Sequence, residues 1–258
     1  MSTKKPTIVI VHGAWQLAAG YEAFAEKLKA LGYPTEVVPL PSVGGTETPL
    51  QGLPEDTVAV RKALTRLVHD GLEVLLLCHS YGGVVGSCAV EGFDFGSRKK
   101  EGKSGGVIMT VYMSAFVIRK GETLLDMFGN PLPWMHIKGD KCSAVASMMP
   151  QIAFNDLPTE QAALYGSQMS HSAAVVFATP STYEPWANGV PCAYIFCTDD
   201  NAVPFQIQQQ MASQLGPEPT TFTLKAGHCP FLSIPDKLAE VIGKTAEVGL
   251  NKRLLTTH

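Results

Sequence analysis

A serine, a pair of aspartates and a histidine each follow an apolar run in this sequence, and together they could carry nucleophilic chemistry. Ser80 comes directly after the run "VLLLCH", and Gly82 follows two residues later. A serine hydroxyl is a weak nucleophile at neutral pH, so it needs a base within hydrogen-bond reach and an acid that orients the base. The passage from an apolar strand through serine into a glycine-rich helix predicts a nucleophile elbow.

The elbow motif departs from the usual G-x-S-x-G pattern at its first position, which is Cys78. Gly82, at the last position, is expected to let the helix pass close to a strand where a Cβ atom would clash. A Ser-Gly pair on its own is also typical of a helix N-cap that has no chemical role. The nucleophile interpretation therefore depends on the position of Ser80 at the end of the third predicted strand.

The base and the acid are sought beyond the other strands. His228, in "LKAGHCPF", follows a strand and is predicted to be the base. Asp199 and Asp200 follow "YIFCT", and both precede Pro204, so spacing alone leaves the choice of acid open. The other histidines are assigned to packing or to solvent: His79 to packing, and His69, His136, His171 and His258 to solvent.

Donors for a developing oxyanion are predicted on the backbone. One is the N–H of Tyr81, directly after the serine. The other is the N–H of Ala14 in "HGAW", where Gly13 permits a turn after the first strand. Two such N–H groups stabilise the negative charge that forms on a carbonyl oxygen under attack.

Six strands alternating with helices would bring these groups together. The runs at 7–11, 35–40, 73–78, 105–116, 190–198 and 220–225 are predicted to be strands. Helices are predicted after the first strand, over 55–69, after Ser80, after Pro204 and over 235–248. Such alternation predicts an α/β fold with a doubly wound, mostly parallel sheet, whose strand ends meet at one edge.

Residues 118–186 interrupt the alternation and show no convincing strand. We expect them to form an inserted helical cap on a core built from residues 1–117 and 187–258. Five apolar residues of the cap are candidates for the substrate pocket, although most of them could instead form the core of the cap: Trp134, Met148, Met149, Phe154 and Met169. We expect about two of the five to line the pocket.

Composition excludes several other classes of protein. The formal net charge is −3, and the longest block of like charge is "RKK" at 98–100, which is read as a solvated loop. This argues against a nucleic-acid or membrane partner. The apolar segment near the start spans five residues, too short for a signal-peptide core, so a cytoplasmic location is expected. The six cysteines lack framework or metal-site spacing and are expected to be reduced.

With "VHGAW", "CHSYGG", "FCTDDNAVP" and "GHCPF", the chain resembles the α/β-hydrolase superfamily. More narrowly, it resembles the branch of small esterases and hydroxynitrile lyases that includes the plant salicylate methylesterases. In that branch the second of the two acidic residues serves the triad, which implies Asp200. The lyases carry a lysine after the catalytic histidine, where this chain has Cys229, so no cation is present there to stabilise departing cyanide.

The resemblance thus implies a serine hydrolase that cleaves a small apolar carboxylic ester or lactone through an acyl-enzyme, without a metal or organic cofactor. Two alternatives stay open: a ligand receptor that retains the triad, and a cyclase or C–C bond hydrolase acting on a polyketide-like substrate. A homodimer is compatible with the sequence. The environment of Cys229 is also open, because its thiol could border the mouth of the active site or pack beneath the cap.

Overall fold

The computed structural model describes residues 5–255, so the prediction for His258 lies outside the described residues. Nine strands are present in this part of the chain: β1 (Thr7–Val11), β2 (Thr35–Val38), β3 (Glu73–His79), β4 (Gly106–Met113), β5 (Met135–Lys138), β6 (Lys141–Ala144), β7 (His171–Ala173), β8 (Cys192–Cys197) and β9 (Thr220–Leu224). Six of them form one parallel sheet in the order β2-β1-β3-β4-β8-β9. The predicted α/β architecture is confirmed.

Ten α-helices connect these strands or extend from them. They are α1 (Glu22–Ala30), α2 (Leu53–His69), α3 (Gly82–Ala89), α4 (Phe95–Lys100), α5 (Leu124–Phe128), α6 (Met149–Ile152), α7 (Thr159–Ser167), α8 (Phe205–Ala212), α9 (Pro230–Ser233) and α10 (Pro235–Leu255). Within residues 5–255, no helix combines the length and the apolar character that a membrane span requires.

The sheet is buried on both faces because helices cover each of them. On one face, Val9 and Val11 of β1 belong to an apolar cluster that includes residues of α2, α3 and α8. On the other face, Ile8 and Ile10 belong to a cluster that includes residues of α1 and α10. The continuous apolar runs of the central strands reflect this two-sided burial. The sheet therefore offers a rigid edge on which polar side chains can be placed.

The inserted segment is not purely helical, which corrects the sequence interpretation. It contains α5, α6 and α7, but also an antiparallel sheet in the order β5-β6-β7. Strands β5 and β6 are four residues each, with one buried residue apiece, so they lack the apolar run that reveals a core strand. Gly139 and Asp140 connect them, with Gly139 at φ +63°. A Gly-Asp pair is a hairpin signal that the sequence interpretation passed over.

The cap sheet is attached to the core through two loops. The N–H of Ala173 donates to the carbonyl of Ser42 at 2.8 Å, and the N–H of Gly44 donates to the carbonyl of His171 at 2.9 Å. Trp15 adds a third connection, because its indole N–H donates to the carbonyl of Cys142 at 2.9 Å. These contacts place β6 and β7 directly above the loop that follows β1.

The "RKK" segment is also not a solvated loop. It lies in α4, where Arg98 is buried and its guanidinium donates to the carbonyls of Val68, Ser104 and Gly105 at 2.8–3.2 Å. Asp94 caps the helix by accepting from the N–H of Ser97 at 2.7 Å. Three carbonyl acceptors compensate the buried charge, so Arg98 has a structural role. The sequence did not indicate this role, because Arg98 is followed by two lysines and the three residues together are typical of a solvated surface.

Candidate active site

Ser80 lies in a strained turn between β3 and α3. Its φ is +53°, in the left-handed region that non-glycine residues rarely adopt. Its carbonyl accepts from the N–H groups of Gly83 at 3.0 Å and Phe116 at 3.1 Å, which holds the strained conformation. A Cβ at Gly82 would lie 2.2 Å from the carbonyl oxygen of Val11. Glycine is therefore required there for α3 to start so close to β1, as the sequence predicted.

The structure also explains why cysteine is tolerated at the first position of the elbow. A Cβ at Gly86, one turn into α3, would lie 2.2 Å from the Sγ of Cys78. The thiol thus fills the space that the missing side chain at position 86 leaves open. The larger residue on the strand is matched by a smaller one on the helix.

His228 and Asp200 are in direct contact, and Asp199 is not part of this pair. His228 Nδ1 lies 2.8 Å from Asp200 Oδ2, and both side chains are buried. The other carboxylate oxygen of Asp200 accepts from the N–H groups of Ala202 at 2.7 Å and Val203 at 2.9 Å. Asp199 is exposed, and its carboxylate accepts from the hydroxyl of Thr198. The geometry thus favours Asp200 as the partner of the imidazole.

Ser114 is a further contact of Asp200 that sequence reasoning missed. Its hydroxyl donates to Asp200 Oδ2, the oxygen that also faces His228. Ser114 follows β4 at the carboxyl edge of the sheet and has a φ of +41°. A small polar residue at the end of a strand adjacent to β8 was the available signal.

Ser80 and His228 line the same cavity, and no hydrogen bond joins their side chains within the described part of the chain. Contacts between nucleophile and base are often long without substrate and shorten in the Michaelis complex. The cavity also borders Ala14 and Tyr81. Among residues 5–255, no protein acceptor is hydrogen-bonded to the backbone N–H of either residue. Both predicted oxyanion donors are therefore free to face a ligand.

Gly13 allows the loop that carries Ala14 to approach Ser80 closely. A Cβ at this position would lie 2.9 Å from the Cβ of Ser80 and 3.4 Å from its Oγ. The residue after Ala14 is also constrained, because Trp15 has a φ of +64° and its N–H donates to the hydroxyl of Ser172 at 2.9 Å. The cap strand β7 therefore helps to fix the loop that carries the Ala14 N–H.

A buried carboxylate, Asp56, supports the other oxyanion donor. Asp56 accepts from the hydroxyl of Tyr81 at 2.8 Å, and from the hydroxyl and N–H of Ser42 at 2.6 and 2.9 Å. Burial raises the pKa of this carboxyl to about 6, against the opposing effect of these hydrogen bonds. Sequence reasoning missed Asp56 because an acidic residue in the first turn of a helix usually interacts with the helix dipole at the surface.

His79 is a buried neutral residue behind His228, in agreement with its assignment to packing. Its Nε2 lies 2.8 Å from the carbonyl oxygen of His228, which can only accept, so Nε2 carries the proton. Its Nδ1 lies 2.7 Å from the hydroxyl oxygen of Tyr21, whose proton is donated to Gln16 Oε1 at 2.6 Å. Burial, reinforced by the nearby His228, lowers the pKa of His79 well below its ordinary value. His79 thus anchors the backbone of His228 without adding charge.

Cys229 is buried, which decides the question that the sequence left open. Its Sγ accepts from Gln16 Nε2 at 3.2 Å, and burial raises the pKa of the thiol. The thiol packs beneath the surface and does not border the mouth of the site. All six cysteines are buried and free, including Cys142, whose sequence neighbours did not indicate burial.

Three of the five cap candidates line the cavity, one more than expected: Trp134, Met149 and Met169. Phe154 does not line this cavity but lines a neighbouring depression beside α1, and Met148 is exposed. The remaining walls include Phe116, Phe128 and Phe177. The cavity is therefore strongly apolar and narrow, with a volume of about 30 Å³.

The remaining histidines lie away from the cavity. His69 and His136 are exposed, as predicted. His171 was assigned to solvent, but it is only half-exposed, and its Nε2 lies 2.9 Å from the carbonyl oxygen of Gly45. His171 thus helps to join the cap to the loop after β2. His12, which the sequence analysis left unassigned, is buried, and burial lowers its pKa to about 4.

Comparison with known proteins places this architecture in a family. Residues 8–241 match the model of the alpha/beta hydrolase family. The chain is 30% identical over 247 residues to the alpha/beta hydrolase nvfD of Aspergillus novofumigatus, covering 94% of this chain and 97% of that protein.

Solved structures give the same result. A pyrethroid hydrolase from Sphingobium faniae superposes with a TM-score of 0.72 at 26% identity, covering 94% of this chain and 97% of that one. The methylesterase MES16 from Arabidopsis superposes with a TM-score of 0.72 at 20% identity, covering 94% and 99% of the two chains. The chain therefore belongs to the alpha/beta hydrolase family and is a hydrolase whose structural neighbours include plant methylesterases.

Proposed function

We propose that the protein is a serine esterase that cleaves a small apolar carboxylic ester or lactone. The observation that carries this proposal is the contact of 2.8 Å between His228 and the buried carboxylate of Asp200, at the edge of the apolar cavity that Ser80 also lines. A hydroxyl, an imidazole and a carboxylate in this arrangement form the constellation of nucleophilic acyl transfer. The names of the pyrethroid hydrolase and methylesterase relatives agree with ester cleavage.

In the first half of the reaction, Ser80 Oγ attacks the carbonyl carbon of the ester and transfers its proton to His228. The carbonyl oxygen becomes an oxyanion, which the N–H groups of Ala14 and Tyr81 stabilise. The carbon–oxygen bond to the alcohol then breaks, and His228 donates its proton to the leaving alcohol. The acyl group remains as an ester on Ser80.

In the second half, water attacks the acyl-enzyme and passes a proton to His228. The bond to Ser80 breaks, the serine recovers its proton, and the carboxylic acid is released. Throughout both halves, Asp200 holds the imidazole through Nδ1 and stabilises its protonated form. The apolar walls exclude water, which strengthens the oxyanion contacts.

Hydrolysis of short p-nitrophenyl and methyl esters by the wild type and Ser80→Ala tests the proposal. Removing the nucleophile is expected to lower kcat by about 10³-fold or more. Ser87→Ala is a suitable control, because Ser87 is also a buried serine, in the second half of α3, and its hydroxyl bonds to Gly83 and Tyr112. Equal rates for wild type and Ser80→Ala would refute the nucleophile, and binding without turnover would favour a receptor.

A further inference from the structure

A second apolar depression lies beside the active-site cavity, on the side of α1. We call it the α1 groove, and its lining residues include Gln16, Gly20, Ala23, Met169, Phe231 and Leu232. Its other walls add Leu17, whose side chain is 46% exposed although it is apolar. The groove is open to solvent, and the mechanism proposed above does not use it.

The groove adjoins the active-site cavity. Gln16 and Met169 line both spaces, so these two side chains form a shared wall between the groove and the cavity that contains Ser80. Gln16 is held from the core side, because its Nε2 donates to the Sγ of Cys229 and its Oε1 lies 2.6 Å from the hydroxyl of Tyr21. A substrate that fills the cavity can therefore extend past Gln16 into the groove.

One wall of the groove lies near the imidazole of His228, because the ring of Phe231 is 5.4 Å from that of His79, which is 4.6 Å from that of His228. The imidazole of His228 protonates the leaving alkoxide, so the alcohol portion of a bound ester must face this histidine. The chain that follows His228 supplies two groove walls, Phe231 and Leu232. Trp15, Phe128 and Phe177 line the cavity but not the groove, so these aromatic walls remain for the acyl portion.

We propose that the α1 groove binds the apolar alcohol portion of the substrate. This proposal rests on the esterase function proposed above and narrows its substrate class to esters of compact acids with long or ring-bearing apolar alcohols. The narrow cavity holds the acyl group, and the open groove accepts a longer chain. Burial of apolar alcohol atoms against the groove walls contributes the binding free energy that distinguishes long from short alcohols.

The test fills the groove from its exposed rim. Ala23 lies on α1, is exposed and lines the groove, whereas Ala30 is an exposed residue of the same helix outside it. Ala23→Trp places an indole across the groove, and Ala30→Trp is the matched control. Gly20→Leu is a second filling variant, because a Cβ at Gly20 has no neighbouring atom within 4 Å. All three changes leave the buried core untouched.

The readout is the ratio of kcat/KM for octyl acetate to that for methyl acetate, with methyl octanoate as the acyl counterpart. In Ala23→Trp and Gly20→Leu the octyl-to-methyl ratio is expected to fall at least about ten-fold, which corresponds to about 1.4 kcal/mol. In Ala30→Trp the ratio is expected to equal that of the wild type. The methyl octanoate to methyl acetate ratio is expected to be the same in all four proteins.

Two results would overturn the groove assignment while leaving the esterase function intact. One is an octyl-to-methyl acetate ratio in both filling variants equal to that of the wild type. The other is a selective loss on methyl octanoate, which would assign the groove to the acyl portion. Failure of the esterase function itself is a separate result, namely the absence of Ser80-dependent hydrolysis of every ester tested, and it would refute both proposals.

Discussion

Replacing Asp200 with asparagine is expected to change which nitrogen of His228 carries the proton. The N–H groups of Ala202 and Val203 both point at Oδ1 of Asp200, at 2.7 and 2.9 Å. An asparagine at this position must place its amide oxygen there, because its NH₂ group would oppose two donors. The NH₂ group then takes the place of Oδ2, facing His228 Nδ1 and the hydroxyl of Ser114.

An amide NH₂ only donates, so His228 Nδ1 must accept and the proton moves to Nε2. Nε2 is the nitrogen that would take the proton of Ser80, and in this tautomer it has no lone pair available. The corresponding change in serine proteases lowers kcat by about 10⁴-fold. We expect a loss of about 10³- to 10⁴-fold here, which corresponds to about 4 to 5.5 kcal/mol of transition-state stabilisation.

The assay is steady-state hydrolysis of p-nitrophenyl acetate by the wild type, Asp200→Asn and the control Asp199→Asn, with thermal unfolding to verify the fold. Asp199 is exposed and does not contact His228, so its replacement is expected to change kcat less than about three-fold. The reasoning is wrong if Asp200→Asn keeps more than a tenth of the activity, or if Asp199→Asn loses as much.

Three further outcomes are expected. Gly86→Ala is expected to lower the free energy of unfolding by about 1–3 kcal/mol in chemical denaturation, because the added Cβ would lie 2.2 Å from Cys78 Sγ. Adding Cys78→Gly is expected to recover most of this loss. Equal stability of the single and double variants would show that Gly86 does not make room for the Cys78 thiol. In the native protein, a maleimide leaves Cys229 unmodified and labels it only after unfolding, as peptide mapping checks; rapid native labelling would show that the thiol is accessible. The pKa of Asp56 rises from 3.8 to about 6 on folding, so the folded state binds this proton more tightly than the unfolded state does. Compared with Asp56→Asn, the free energy of unfolding of the wild type is therefore expected to fall by up to about 3 kcal/mol as pH rises from about 4 to 6. An increase in the free energy of unfolding over this pH range would refute the raised pKa.

The central sheet was predictable because its inner strands are buried on both faces. Runs such as Thr7–Val11 and Glu73–His79 are apolar almost throughout, and they read as strands without knowledge of their neighbours. The positions of Ser80, Asp200 and His228 followed from the same reasoning, since the carboxyl ends of parallel strands meet at one edge. The choice of Asp200 over Asp199 came from resemblance, and the hydrogen bonds of the loop supply its physical reason.

The cap and the supporting residues were less accessible because their environment is made by distant parts of the chain. Asp56 is buried only because Ser42 and Tyr81 converge on it from other elements. The strands of the cap are only three or four residues long, so their sequences carry little of the alternation that marks a strand. Cys229 follows the catalytic candidate His228 in sequence, yet its side chain points into the core, which adjacency along the chain does not reveal.

The most direct test of the central claim is covalent labelling of the nucleophile. A fluorophosphonate probe reacts with a serine that an adjacent base has activated, and its adduct can be located by mass spectrometry of proteolytic peptides. We expect a single adduct per chain, on Ser80, with no adduct in Ser80→Ala and much slower labelling in His228→Ala. Labelling of another residue, or equal labelling of the wild type and Ser80→Ala, would contradict the assignment of Ser80 as the activated serine.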